Sequence, residues 1–104
     1  MFYLKVHDVP GEVLVAVCDA DVLGNSYSNG KMQLHVSERF YKGALAGEDE
    51  ALEAIERATV ANLVGNLIVE KAVRRRLVSA ENVIEIGGVK HAQVVCIPQR
   101  NEVH

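Results

Sequence analysis

Residues 2–18 read FYLKVHDVPGEVLVAVC, and this stretch decides the fold. Apolar and polar side chains alternate from Phe2 to His7, which is typical of a half-buried β-strand. Pro10 and Gly11 then favour a turn. After the turn, the run from Val13 to Cys18 is apolar without interruption, which indicates a strand covered on both sides. We therefore predict that the two strands pair as a hairpin within a larger sheet.

Three further segments carry strand signals. Residues 31–37 alternate again, and residues 83–86 and 91–97 flank Gly87-Gly88, which is a strong hairpin signal. The polar residues 19–30 predict a loop, and residues 38–47 predict an irregular connection.

Two helices are predicted between the strands. The first covers Glu48 to Ala58 and begins with three acidic residues, which favour the positive end of a helix dipole. The second covers Val60 to Arg76, and its part from Val60 to Val69 is apolar nearly all round, so we expect it to be buried in this chain or against a second copy. The fold class is therefore α+β: a mixed, mainly antiparallel sheet of about five strands with two helices on one face, in the order βββααββ.

Length and charge narrow the classes of function. The 104 residues fit one domain, residues 1–104, with a frayed tail at residues 98–104. A net charge of −3 argues against a protein-wide electrostatic grip on nucleic acid. Because the chain shows no signal peptide and no apolar run of about 18 residues, we expect a soluble, cytoplasmic protein without membrane association. The segment from Gly24 to Met32 fails the spacing of a phosphate-binding loop, and no cofactor is predicted.

The two cysteines and three of the histidines are weak candidates for chemistry. Cys18 and Cys96 each lie in an apolar run, which favours buried thiols and leaves a bridge between them open. His7, His35 and His91 fall on predicted strands without the short spacing of a zinc motif, so we predict no metal site.

Binding candidates cluster in the second half of the chain. On the predicted helix, Asn62 and Asn66 share one face, and Gly65 allows close approach of another backbone. Lys71, Arg74, Arg75 and Arg76 place four cations within six residues. Such a cluster stabilises a helix end. It would also contact phosphates if Lys90 and His91 lay beside it.

Three ordered motifs resemble one family. They are residues 11–19 (GEVLVAVCD), 61–65 (ANLVG) and 87–95 (GGVKHAQVV), within a resemblance that extends from about Tyr3 to Ile97. The chain resembles the archaeal family catalogued as domain of unknown function 424. The resemblance implies an archaeal cytosolic protein without an assigned activity, and it departs from the family pattern at Asn66 and Lys90. The matching positions, which would share whatever site the family has, are Asp19, Asn62, Gly65, His91 and Gln93.

Three hypotheses follow. The first is a non-enzymatic binding module for RNA or a translation-related protein, with Asn62, Gly65, Lys71, Arg74, Arg75, His91 and Gln93 as binding residues. The second is a small enzyme that uses His91 with Asp19 as an acid/base pair, which requires the two side chains to meet in a pocket. The third is a homo-oligomer held together by the apolar segment from Val60 to Val69.

Overall fold

The computed structural model describes residues 1–95. The predicted tail at residues 98–104 and Cys96 lie outside this range. Eight strands and three α-helices follow one another: β1 (Phe2–Val9), β2 (Glu12–Asp19), β3 (Ser26–Ser28), β4 (Gln33–His35), α1 (Glu38–Tyr41), β5 (Ala44–Ala46), α2 (Glu48–Arg57), β6 (Val60–Val64), α3 (Asn66–Arg74), β7 (Ile84–Ile86) and β8 (Val89–Val95). Short 3-10 turns cover Ala20–Val22 and Ala80–Asn82.

Six strands form the main sheet, in the order β5-β1-β2-β6-β8-β7. Only β2 and β6 run parallel, and every other neighbouring pair is antiparallel. The α+β class, the β1–β2 hairpin and the β7–β8 hairpin are therefore confirmed. Strands β3 and β4 form a small separate sheet within the region predicted as loop and strand.

The prediction of a helix from Val60 to Arg76 is wrong in its first third. Val60–Val64 is strand β6, and the helix begins only at Asn66. Strand β6 lies between β2 and β8, and its side chains alternate between the two faces of the sheet. A central strand that contributes apolar residues to both faces has a nearly uninterrupted apolar sequence, and such a sequence also fits a buried helix. The apolar segment therefore packs within this chain, and the motive for a homo-oligomer disappears.

The two faces of the sheet are covered differently. Helices α2 and α3 pack on one face, which we call the helical face, over a core that includes Val15, Val17, Leu63, Ile55 and Ile68. On the other face, which we call the hairpin face, α1 and the β3–β4 hairpin cover a second core that includes Cys18, Val36, Tyr41 and Val64. The prediction of two helices on one face is confirmed, with short α1 as an addition on the other.

Two backbone hydrogen bonds cap the C-terminal end of α3. The N–H of Leu77 donates to the carbonyl of Ala72, and the N–H of Arg76 donates to that of Val73, as at the ends of many helices. Arg76 accordingly has a positive φ of 63°. Among the described residues, no helix is long and apolar enough to cross a membrane.

Candidate functional site

Asp19 and Gly65 join the end of β2 to the start of α3. The carboxylate oxygens of Asp19 accept hydrogen bonds from the backbone N–H groups of Leu67 and Ile68, both at 2.9 Å. These are two of the N–H groups that a helix leaves unpaired in its first turn, and the negative charge also suits the helix dipole. Gly65 has a φ of +127°, and a Cβ there would lie 2.6 Å from each carboxylate oxygen. Gly65 is thus required by the close approach of the Asp19 side chain, where the sequence suggested a neighbouring backbone.

Burial dominates the electrostatics of this corner. Asp19 is only 5% exposed, and burial raises the pKa of its carboxyl while the two backbone donors pull the pKa partly back. Burial also raises the pKa of the Cys18 thiol to about 12, with the charge of Asp19 adding to the shift. A thiol in this state is protonated at neutral pH and is a poor nucleophile. Both groups belong to the packing of the sheet.

Asp19 and His91 do not meet. The side chain of Asp19 lies on the helical face, where it holds the first turn of α3. His91 is paired with Val64, whose side chain belongs to the core of the hairpin face. Since the sheet separates the two side chains, the structure does not form the predicted acid/base pair.

Asn66 holds the β7–β8 turn against the start of α3. Its Nδ2 donates to the carbonyl of Gly88 at 3.2 Å, and its Oδ1 accepts from the backbone N–H of Lys90 at 2.9 Å. The backbone N–H of Gly65 also donates to the carbonyl of Lys90. The expectation that Asn62 and Asn66 share a helix face is wrong, because Asn62 lies in β6 and Asn66 opens α3.

Two of the four cations clustered at the end of α3 are paired with carboxylates. Lys71 lies 3.0 Å from Glu48, and Arg75 lies 4.0 Å from Asp49, both at the start of α2. Lys90 approaches α3 as expected, but its ammonium lies 3.1 Å from Glu70. His91, the remaining member of the predicted patch, projects from the opposite face of the sheet. The structure therefore separates His91 from the predicted phosphate-contacting patch, while Arg74 and Arg76 have no carboxylate within 4.0 Å among residues 1–95.

A groove of about 500 Å³ lies between α3 and the β7–β8 hairpin. Its floor is apolar, and its rim carries Arg74 and Lys90 together with Glu70 and Glu85. Because the charges on this rim balance, the groove does not favour an anionic ligand.

Three of the predicted binding residues do converge, on the hairpin face. Asn62 pairs directly with Gln93 across β6 and β8, and His91 lies two residues before Gln93 on the same face. Asn62 and His91 are half-buried and Gln93 is exposed. Within residues 1–95, none of the three side chains takes part in a hydrogen bond. We call these three residues the polar strip.

The polar strip borders an open part of the hairpin face. Next to it, Val95 is 61% exposed, while Leu14 and Val60 are half-exposed. Burial lowers the pKa of His91, so its ring is neutral at pH 7, with one nitrogen a donor and the other an acceptor. The polar strip thus offers two amides and a neutral imidazole to whatever covers this face.

A cleft between β1 and α1 has no counterpart in the sequence motifs. It measures about 350 Å³ and is lined by Lys5, His7, Ser37, Arg39 and Phe40. We call it the basic cleft. Lys5 and His7 alternate with apolar residues along β1, whereas Arg39 follows more than 30 residues later, so no local motif joins them.

His7, His35 and His91 lie apart from one another in the part of the chain that the structure describes. His7 bonds the carbonyl of Phe40 through Nε2 at 2.8 Å, and His35 bonds the hydroxyl of Ser26 through Nδ1 at 2.8 Å on the separate small sheet. Among residues 1–95, no group of three His, Cys, Asp or Glu side chains is placed to hold a metal ion.

Comparison with known proteins identifies the family. A family model described as "Protein of unknown function (DUF424)" matches residues 7–97. The chain belongs to this family. A similar structure is the crystal structure of an uncharacterized conserved protein from Methanopyrus kandleri, with a TM-score of 0.79 and 28% sequence identity, covering 99% of this chain and 97% of that one. Among curated proteins, none matches this sequence. The resemblance drawn from the three sequence motifs is confirmed, and neither DUF424 nor the Methanopyrus kandleri protein has an activity in its description.

Proposed function

We propose that this protein is a non-enzymatic binding module that takes up single-stranded RNA on the open part of its hairpin face. The observation that carries the proposal is the polar strip: Asn62, His91 and Gln93 converge there without hydrogen-bond partners among residues 1–95. An apolar surface placed over this part of the sheet would bury these groups without hydrogen-bond partners, which costs free energy. A ligand with hydrogen-bonding edges satisfies them.

The chemistry of the polar strip suits unpaired bases. Single-stranded RNA exposes the edges of its bases, and amide side chains pair with donors and acceptors on those edges. The neutral ring of His91 offers both a donor and an acceptor. In common RNA-binding sheets, aromatic side chains stack the bases. Since the polar strip contains no Phe, Tyr or Trp, we expect hydrogen bonding to contribute more here than stacking.

The charge pattern of this face also supports the proposal. Glu12 is the one acidic residue that shares the face of Asn62 on strands β1, β2, β6, β7 and β8, and it lies at the β1–β2 turn, where it accepts a hydrogen bond from Thr59. Lys5 stands in the same row as Asn62, two strands away. A polyanion therefore meets a cation and no carboxylate beside the polar strip.

Three of the four groups with shifted pKa values lie in the packing of the sheet, and on the polar strip the fourth, His91, has no carboxylate or thiol from residues 1–95 beside it. Asp19 is occupied by the first turn of α3, and Cys18 lies in the core next to it. Burial also raises the pKa of the Tyr41 hydroxyl. Enzymes use shifted pKa values where the groups line a cleft. Here these three lie in the packing of the sheet.

The test is RNA binding by a variant that removes the amides of the polar strip. Titration of a labelled single-stranded RNA of mixed sequence should show affinity that falls as salt rises. Replacing Asn62→Ala together with Gln93→Ala removes two hydrogen-bonding groups, and we expect binding to weaken about tenfold or more. Absence of RNA binding at low salt, or unchanged affinity of this variant, would overturn the proposal.

Two control variants separate the polar strip from the rest of the surface. Gln33→Ala with Asn82→Ala removes the same two amide types from exposed positions, and we expect affinity within about twofold of the wild type. Arg74→Ala with Arg75→Ala tests the end of α3 as the contact surface. If this variant loses more affinity than the polar-strip variant, the RNA lies on α3.

Affinity purification of the tagged protein, with and without nuclease, then identifies the class of partner. An RNA partner of the translation machinery fits the cytoplasmic location expected from the sequence. Capture that survives nuclease would instead point to a translation-related protein and would contradict the RNA proposal.

A further inference from the structure

We infer that the basic cleft, lined by Lys5, His7, Ser37, Arg39 and Phe40, binds the phosphate group of a nucleotide. The inference deepens the proposed function, because the cleft lies on the same face of the sheet as the polar strip, two strands away. It stands on separate residues and is tested with a separate probe.

The cleft collects positive charge without a counter-ion. Lys5 and Arg39 line it together with His7, and no Asp or Glu from residues 1–95 lines it. Among residues 1–95, neither Lys5 nor Arg39 lies within 4.0 Å of a carboxylate. By contrast, Lys71, Arg75 and Lys90 each have an acidic partner. An anion in the cleft would supply the counter-charge that both cations lack.

Two donors of the cleft, on Lys5 and Ser37, are held in place by hydrogen bonds and can still donate to a ligand. The ammonium of Lys5 donates to the carbonyl of Arg39 at 2.7 Å, which uses one of its three N–H groups. The hydroxyl oxygen of Ser37 accepts from the backbone N–H of Phe40 at 3.2 Å, so the hydroxyl proton of Ser37 is free to donate. The guanidinium of Arg39 adds a planar pair of donors that matches two phosphate oxygens.

His7 is fixed in orientation by two contacts with Phe40. Its Nε2 lies 2.8 Å from the carbonyl of Phe40, and because a carbonyl can only accept, Nε2 carries the proton of that bond. The ring also stacks on that of Phe40, with centroids 4.6 Å apart and planes inclined by 24°. This stack closes one side of the cleft with two flat rings, against which a base or a sugar can pack.

The sheet sets the distance between the basic cleft and the polar strip. Lys5 pairs with Ala16, Ala16 pairs with Asn62, and Asn62 pairs with Gln93, so the four residues form one row across β1, β2, β6 and β8. Neighbouring strands lie about 4.8 Å apart, which puts Lys5 and Asn62 about 10 Å apart along the row. Ala16, between them, is fully buried in the core of the hairpin face, whereas Leu14 beside it on the same face is half-exposed. An extended nucleotide with its phosphate at Lys5 would therefore reach Asn62 with the edge of its base past Leu14. This row assigns the phosphate to the cleft and the base to the polar strip.

Titration with inorganic phosphate tests the cleft directly. In an amide-resolved NMR titration of the full chain, we expect phosphate to shift the signals of Lys5, Ser37, Arg39 and Phe40 before those of α3. A nucleoside 5′-monophosphate should bind more tightly than phosphate and shift the signals of Asn62 and Gln93 as well. The same nucleoside without its phosphate should shift the cleft signals little.

Variants show whether the two cations are responsible. Lys5→Gln with Arg39→Gln removes both positive charges from exposed or half-exposed positions, and we expect the affinity for phosphate to fall about tenfold or more. Lys31→Gln with Arg57→Gln removes the same net charge from exposed sites elsewhere, and its affinity should stay within about twofold. The amide spectrum of each variant verifies that it remains folded.

The outcomes separate this inference from the proposed function. If phosphate does not shift the cleft signals, or if the cleft variant binds phosphate as the wild type does, the inference is overturned whatever RNA does. If the cleft variant loses phosphate and the polar-strip variant leaves RNA binding intact, the inference stands and the proposed function fails. Weakened RNA binding in both variants would support both.

Discussion

The two faces of the main sheet differ in how they are covered and in how their polar residues are paired. On the helical face, α2 and α3 cover the strands, and the polar group buried there, Asp19, is matched to the first turn of α3. On the hairpin face, α1 and the β3–β4 hairpin cover only part of the strands, and the polar strip beside them has no partner among residues 1–95. The difference teaches that polar residues on a sheet must be checked for local hydrogen-bond partners before they are interpreted as a site. Asp19 has such partners, and the polar strip has none within the described range.

The largest effect on stability is expected at Gly65, which contacts Asp19 on the helical face. Gly65→Ala places a Cβ against the carboxylate of Asp19 and forces a φ of +127° on a residue with a side chain. We expect the free energy of unfolding, measured by urea denaturation, to fall by about 4 kcal/mol or more.

A matched glycine and a double variant sharpen this result. Gly47 precedes α2 as Gly65 precedes α3, but nothing lies within 4 Å of a Cβ there, and we expect Gly47→Ala to cost less than about 1 kcal/mol. Since Asp19 is the clashing group, Asp19→Ala and Gly65→Ala together should cost less than the sum of the two single changes. Additive costs would show that the contact between Asp19 and Gly65 is not what excludes a side chain.

Substitutions at neighbouring residues of β6 allow the two faces to be compared directly, and one of them has the next largest expected effect on the free energy of unfolding. Leu63 is fully buried on the helical face, and Leu63→Ala should lower the free energy of unfolding by about 3 kcal/mol. Asn62 is half-buried on the hairpin face without a hydrogen bond among the described residues, so Asn62→Ala should change it by less than about 0.5 kcal/mol. Urea denaturation at neutral pH measures both changes in the free energy of unfolding. If Asn62→Ala lowered the free energy of unfolding nearly as much as Leu63→Ala, the Asn62 side chain would stabilise the fold and would not be available to a ligand.

Strand β6 also marks the limit of what the sequence could predict. Period-two alternation placed β1, the uninterrupted apolar run after Pro10-Gly11 placed β2, and the Gly87-Gly88 turn placed β7 and β8, because those signals are local. A short apolar run such as residues 60–64 suits a buried strand and a buried helix alike, and only its position between β2 and β8 decides the matter.

The candidate site was predictable to a similar extent. The sequence picked out Asn62, His91 and Gln93 separately, but their convergence depends on the register of β6 against β8. It also grouped His91 with the cations of α3, which the sheet places on the other side. The basic cleft was out of reach, because Lys5 and Arg39 meet only through the packing of α1 on β1.

The smallest expected effect is the pH dependence of the free energy of unfolding, which tests whether burial or the two backbone N–H donors dominate the pKa of Asp19. Burial raises the pKa of Asp19 in the folded state, so the folded protein keeps this proton to a higher pH than the unfolded chain does. The stability that Asp19 contributes is therefore present below its unfolded pKa, about 4, and is lost as the pH rises through its folded pKa. Asp19→Asn keeps an oxygen acceptor at this position and cannot titrate. We expect the free energy of unfolding of the wild type, minus that of Asp19→Asn, to fall as the pH rises from about 3 to 7 in urea denaturation series. All other carboxylates are common to both proteins and cancel in this difference. A difference that grows with pH would mean that the N–H groups of Leu67 and Ile68 outweigh burial, and that the helical face holds Asp19 as a charged cap.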